Sequence, residues 1–268
     1  MAPLSLIIIT RDEADRIPAA IRSAPFVSEV IVVDSGSTDG TVEVARSLGA
    51  RVVQTDWPGH VAQKNRAWAL ATQPWVLSLD ADERLSPELA EAIVAALKAP
   101  PEGVVGFKAL RVNETLGQRV KGGVFGPAWH LRLARREAGR WVGDDPHDRL
   151  EARGGEVVRL PGVIEHTPYR SLDEHMLTVS RYSARFVEVS LASGRRAGLL
   201  DLLLRPILHL VSSLTLRGGF RDGALGWQLA WIGAAQVAMR WAGLYRAQRA
   251  APTTPPTTPP TTPPTTPP

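Results

Sequence analysis

The sequence predicts an α/β fold, a mostly parallel Rossmann-like sheet with helices on both faces, and two observations carry that prediction. Four short apolar runs alternate with helix-period segments in the first hundred residues. Alternation of this kind is what βαβ units with a buried parallel sheet require. Acidic residues gather where those runs end, which is where open parallel sheets bind ligands.

Leu4–Thr10, Val30–Asp34, Arg51–Thr55 and Trp75–Leu79 are the expected strands. Ala14–Ala24, Thr41–Leu48, Val61–Ala71 and Pro87–Leu97 are the expected helices, the last opened by Ser86 as cap and Pro87 in the first turn. Beyond Pro100 the pattern changes to strands at Val104–Val112, Gly126–Leu133 and Glu156–Leu160, separated by glycine-rich and charged loops. Leu172–Gly194 reads as a long helix. Leu199–Leu216 and Gly223–Leu244 read as two apolar helical segments joined by residues 217–222.

Composition divides the 268-residue chain into three parts. Residues 195–250 hold eight arginines against Asp201 and Asp222, a charge of +6; the overall +4 therefore leaves −2 on residues 1–194. A mildly acidic body with one basic apolar end is not the profile of a nucleic-acid-binding protein, whose basic residues cover a docking face. It fits an enzyme body with a membrane-associating helical hairpin that lies in the bilayer interface. Neither apolar segment reads as a transmembrane span: Asp201, Arg205 and His209 interrupt the first, and the second reaches Arg240 after seventeen uncharged residues, where about twenty are needed. Residues 251–268 are a Pro/Thr-rich repeat expected to be extended and disordered. The chain has no cysteine, which excludes disulfides, thiolate zinc sites and a Cys nucleophile. Leu4–Ile9 is too short for a signal core and has no basic flank before it.

The first strand runs into Thr10-Arg11-Asp12-Glu13, the second into Asp34-Ser35, and the fourth into Asp80-Ala81-Asp82-Glu83. Helix capping accounts for some of these residues. It accounts poorly for Asp80 and Asp82, which repel each other unless something positive intervenes. Mg²⁺ or Mn²⁺ takes one or two protein carboxylates and completes its shell with phosphate and water. The expected ligand is thus a nucleotide diphosphate bridged to Asp82 through metal. With the first strand between the second and the fourth, Asp34 lies about 10 Å from Asp82, the span from a pyrimidine base to its diphosphate. Asp34 is then placed for base or ribose. Neither a P-loop nor a Gly-x-Gly-x-x-Gly turn is present, so Arg11 and Lys64 are the candidate phosphate cations.

Ser5–Glu13, Ile31–Thr41, Gln63–Asn65 and Leu77–Glu83 together resemble family 2 glycosyltransferases of the GT-A fold. The marks of that family are a strand ending near Thr-x-Asn-Glu, an Asp-x-Gly-Ser-x-Asp-like turn and the Asp-x-Asp metal motif. Asp12 stands where Asn is usual. Gly126–Arg136, Pro146-His147-Asp148, His166–Tyr169 and Arg217–Gly226 resemble the lipopolysaccharide core β-1,4-glucosyltransferase branch.

The resemblance implies inverting transfer of a hexose, with glucose and a UDP donor expected, to a hydroxyl of a lipid-linked glycan. It implies Thr10, Arg11, Asp12, Glu13, Asp34, Lys64, Asp80, Ala81 and Asp82 around the nucleotide-sugar donor, with Asp82, Asp80 and His166 about the metal. Asp148 is the expected general base, at the place where the branch has His-Glu; His147 is a further candidate. Trp129 and Trp141 are candidates to stack on sugar faces or to be core. The expected location is the inner face of the cytoplasmic membrane, held peripherally. Transfer to a polyprenyl phosphate, which needs no strong base, and a non-catalytic nucleotide- or glycan-binding module remain alternatives on the same scaffold.

Overall fold

The structure, a computed structural model, describes residues 1–115, 117–143 and 148–250. The Pro/Thr repeat and His147 lie outside the described residues.

The first half follows the expected alternation. Its elements are β1 (Ala2–Thr10), α1 (Ile17–Arg22), β2 (Val27–Asp34), α2 (Thr41–Ser47), β3 (Arg51–Gln54), α3 (His60–Leu70), β4 (Trp75–Asp80), β5 (Glu83–Leu85) and α4 (Pro87–Lys98). The second half holds β6 (Val104–Thr115), β7 (Gln118–Arg119), β8 (Ala128–Arg135), β9 (Gly139–Val142), β10 (Arg149–Ala152) and β11 (Glu156–His166). Three helices follow, α5 (Leu172–Ala192), α6 (Leu199–Leu214) and α7 (Gly223–Ala250).

Among the described residues the strands form one nine-stranded sheet in the order β3-β2-β1-β4-β8-β6-β11-β5, with β7 on β6, and a small β9–β10 hairpin. β3, β2, β1 and β4 run parallel; β8 is antiparallel to both neighbours, and β6 and β11 are again parallel to each other.

β1 is apolar throughout because both its faces are covered. Leu4, Leu6 and Ile8 pack into a core with α1, α2 and α4, while Ile7 joins Ile31 and Val33 against Trp68 of α3 and Trp141 of β9. Each such fully buried side chain contributes about 1.5–3 kcal/mol by leaving water. The cap expected at Ser86 forms: its Oγ accepts from Leu89 N at 3.2 Å and also from Val163 N at 3.0 Å, tying α4 to β11.

The expected strand at 156–160 runs on to His166. Pro161 and Gly162 fall where the pairing of β11 with β6 skips between Arg159 and Val163, so proline's missing donor breaks no ladder bond. Gly162 has φ +83°, and a Cβ there would run into the backbone of α4 at Leu89. The strand continues past that point to deliver His166 to the site.

Residues 195–250 are anchored to the body rather than hung from a linker. Asp222 accepts from Lys121 N at 2.8 Å and Gly122 N at 2.9 Å, and Gly123 N donates to the Arg217 carbonyl at 2.9 Å. Val120 packs on Leu225 and Leu229 of α7. The contact is close enough that a Cβ on Gly122 would run into the Gly218 carbonyl. α6 points outward. Leu199, Leu200, Leu203, Leu204, Ile207, Leu208 and Val211 form one exposed stripe at helical spacing, and Trp227 and Trp231 of α7 are exposed as well. Among the described residues no single helix is long and apolar enough to cross a membrane; α6 and the 219–250 segment pass that test only as a pair, bent by 65°.

Candidate active site

Parallel register brings the acidic strand ends together: Thr10 pairs with Asp34 and Ile9 with Asp80. Beyond these ends lies a cleft of about 360 Å³. Of the expected site residues, Thr10, Arg11, Glu13, Lys64, Asp80, Ala81, Asp82, Asp148 and His166 all line it.

Asp12 and Asp34 do not. Asp34 is fully buried, and its carboxylate is spent on its own turn, accepting from Gly36 N at 3.0 Å, Ser37 N at 3.1 Å and the Ser37 hydroxyl. Asp12, at φ +56°, accepts from Thr38 N at 2.8 Å, and its own N–H donates to Ser37 Oγ at 2.8 Å. The two aspartates expected at the donor lock the two rim loops to each other. A short Asx turn of this kind satisfies orphan backbone donors locally.

Asp80 is also placed differently from expectation. Its Oδ1 lies 3.0 Å from Lys64 Nζ and its Oδ2 3.1 Å from Arg132 Nη2. Burial works against its ionisation, but Lys64 and Arg132 outweigh burial and hold the carboxyl well below the usual carboxylate range. The positive charge that relieves the Asp80–Asp82 pair is therefore supplied first by protein. Arg132 also reaches Glu83 at 2.6 Å, and the buried Glu83 accepts from Asp80 N at 3.0 Å. Lys64 bridges onward to Asp148 Oδ2 at 2.8 Å and sits over the Trp141 ring at 4.2 Å. Lys64, Asp80 and Asp148 thus form a continuous wall.

Asp82 is free of that wall and meets His166 instead, Oδ2 to Nε2 at 3.2 Å. The other ring nitrogen of His166 lies 2.6 Å from Asn113 Oδ1, and Asn113 Nδ2 donates to the Phe125 carbonyl at 2.7 Å. That second bond turns Oδ1 toward the imidazole, so Nδ1 carries the proton and Nε2 faces Asp82 as an acceptor. Two facing acceptors need a proton or a cation between them. A carboxylate and an imidazole suit Mn²⁺ or Mg²⁺ when phosphate and water supply the remaining positions. Among the described residues no group of three or more His, Asp or Glu converges to hold a metal without such help.

Glu13 has a connecting role. It accepts from Arg16 at 2.6 Å and Arg170 at 2.9 Å, joining the first strand's loop to the loop after β11; burial pushes its carboxyl up.

Several cleft residues carry no motif in the sequence. Trp57, 44% exposed, stands at the rim with its ring edge-on to His60 at 4.7 Å, and Tyr182 of α5 closes the far side. Arg132 and Asn113, which support the cleft, are equally silent because each acts through partners distant in sequence.

The chain is 30% identical over 250 residues to the lipopolysaccharide core biosynthesis glycosyltransferase LpsC of Rhizobium meliloti, a match covering 91% of this chain and 92% of that one. It is 51% identical over 94 residues to an uncharacterized glycosyltransferase of Rickettsia felis, covering 35% and 33% of the two chains. In three dimensions it resembles a mannosyltransferase of Pyrobaculum calidifontis solved with GDP-Man and Mn²⁺, with a TM-score of 0.52, 17% identity and coverage of 89% and 87%. That likeness shows the fold to be the GT-A arrangement expected from the sequence. The glycosyl transferase family 2 profile matches residues 5–152. With both the match over the sheet and the full-length relative in hand, the chain belongs to glycosyl transferase family 2 and is a transferase enzyme.

Proposed function

We propose that this chain transfers a hexose, glucose from UDP-glucose, with inversion to a hydroxyl of a lipid-linked glycan of the lipopolysaccharide core type. The observation that carries this reading is the position of Asp148. It stands on the wall between the first cleft and a second one of about 570 Å³, so that a carboxylate touches both spaces.

The donor would lie in the first cleft, with its base against the exposed Trp57 and its diphosphate near Arg11, whose side chain is largely free. Asp82 and His166 would hold a divalent cation that, when bound, neutralises charge on the departing diphosphate. Asp148 offers Lys64 one oxygen, Oδ2, and the other is left to take the acceptor's proton as the hydroxyl attacks. Lys64 fixes the orientation of that carboxylate, and Asp80 in turn fixes Lys64.

Support for a lipid-linked acceptor comes from the exposed stripe of α6 and from the arginines that flank the helical pair. An amphipathic hairpin of this kind gains from apolar burial and from anionic headgroups, about 1 kcal/mol per basic residue near the surface. On this reading the enzyme sits peripherally on the cytoplasmic membrane, facing the cytoplasm. Flotation with phosphatidylglycerol vesicles at low salt tests it: the full chain should float, a Leu204→Glu, Leu208→Glu variant should not, and failure of the unmodified chain to float would refute the membrane role. A thermal-shift panel of UDP-, GDP- and ADP-sugars with Mn²⁺ tests the donor, since a ligand that binds the native state raises its melting temperature. UDP-glucose should give the largest shift, and a larger response to GDP- or ADP-sugars would replace that assignment.

A further inference from the structure

We infer that the second cleft is the acceptor site and that it selects an acceptor carrying an anionic group, a phosphate or a carboxylate, close to the hydroxyl that reacts. This rests on the transferase reading above and adds the chemistry of the second substrate.

The cleft lies on the far side of the Lys64–Asp80–Asp148 wall and is large enough for a sugar residue with its substituents. Its lining is cationic: Lys64, Lys108, Arg111, Arg132 and Arg149 face Asp80 and Asp148, with Glu83 behind Arg132 and Arg111 and Glu151 paired with Arg149 at 2.7 Å. Asp80 and Asp148 are already engaged by Lys64 or Arg132, so an incoming anion does not meet them unscreened. Arg111 has only a 3.6 Å approach to Glu83, and Lys108 is exposed with no ion pair among the described residues.

Unused donors point the same way. Arg132 is 4% exposed and gives Nη2 to Asp80 and Glu83, yet among the described residues its buried Nε and Nη1 find no hydrogen-bond partner. Trp141 Nε1 and His130 Nε2, in the same lining, are also buried without a partner among the described residues. Buried polar groups are rarely left orphaned, and the unpaired Nε–H and Nη1–H groups of this guanidinium suit an oxyanion that reaches them from the cleft. A neutral sugar would satisfy some of these donors but would leave the charge of Lys108 unanswered. On this geometry the anion sits against Arg132 and Lys108 and presents a neighbouring hydroxyl to Asp148.

Indole ¹H–¹⁵N resonances of the full chain test this site by site, because Trp129 and Trp141 line the second cleft and Trp57 the first. The probes are glucose 6-phosphate, glucuronate and glucose. Glucose 6-phosphate or glucuronate should shift Trp129 and Trp141 at concentrations about tenfold or more below those glucose needs, the factor expected for charge-assisted bonds. Whichever anion binds tighter identifies the group as phosphate or carboxylate. Lys108→Glu, an exposed change, should weaken anion binding while Trp57 still answers UDP with Mn²⁺. Equal shifts by glucose and the anions, or anion shifts confined to Trp57, would overturn the inference. Absence of a Trp57 response to UDP with Mn²⁺ in the unmodified chain would instead remove the proposed UDP placement and leave the anion result standing.

Discussion

On one side of the Lys64–Asp80–Asp148 wall the cleft presents Asp82, His166 and Glu13; on the other it presents Arg111, Arg132 and Lys108. The first side is short of positive charge and holds two acceptors face to face, while the second has unused donors. A reaction between two anionic substrates needs this kind of division. The donor's diphosphate comes with its own counter-ion, whereas an acceptor anion must find its counter-charge in the protein. The residues of the wall belong to both sides, so substitutions there should disturb the reaction far more than substitutions on either flank.

The largest effect should come from the wall itself. Asp148→Asn should lower turnover by about 10²- to 10⁴-fold while leaving the donor dissociation constant near its original value. Steady-state rates and donor titration on one preparation check this, and a normal turnover would place the base elsewhere. Arg132→Leu should follow. Removing one partner of a buried ion pair leaves Asp80 and Glu83 uncompensated, a loss of about 3–5 kcal/mol, read as a lower midpoint in urea unfolding.

Asn113→Ala probes the first side alone. With the imidazole no longer oriented, the Mn²⁺ concentration needed for half-maximal activity should rise about 10- to 100-fold, with acceptor saturation unchanged.

The smallest effect concerns pH. Burial, then Arg111 and Arg132, push His130 down to about 4 from its ordinary 6.5, against the weaker pull of Asp80, with His166 adding to the depression. The unfolded chain therefore binds this proton more readily. The contribution of His130 to stability is full above pH 6.5 and is lost as pH falls toward 4. Unfolding curves of His130→Asn against the unmodified chain should diverge only below about pH 6.5. Parallel curves down to pH 4 would show that His130 is not titrating with folding.

How much of this was legible in the sequence differs between regions for physical reasons. The first four strands and their helices were readable because continuous apolar runs and 3.6-residue periodicity are local signals, and Ser86-Pro87 marks its helix directly. β5, β7, β9 and β10 were not, since strands of two to four residues are too short to carry a period and, unlike the equally short β3, none sits in a regular strand–helix alternation that marks its place. β11 was cut short in the reading because Pro161-Gly162 looks like a stop, whereas the sheet absorbs it as an irregularity in register.

Within the site, Asp82 and Lys64 reach the cleft as their positions at strand end and preceding helix suggested. The turn that Asp34 and Asp12 build was not legible, because the same acidic side chain serves a ligand or a turn and only the position of the Gly36, Ser37 and Thr38 amides shows the turn. Arg132 carried no signal at all: an arginine in a strand reads as solvent-facing until its carboxylates, 49 and 52 residues earlier, are brought beside it.

Isothermal calorimetry of UDP-glucose with the full chain, in Mn²⁺ and again after chelation, bears most directly on the division of labour proposed here. The account predicts clear binding with the ion, loss of most of it on chelation, and the same loss in Asp82→Asn even with the ion present. Undiminished binding after chelation would mean that the protein's own cations carry the diphosphate, contradicting the role given to Asp82 and His166.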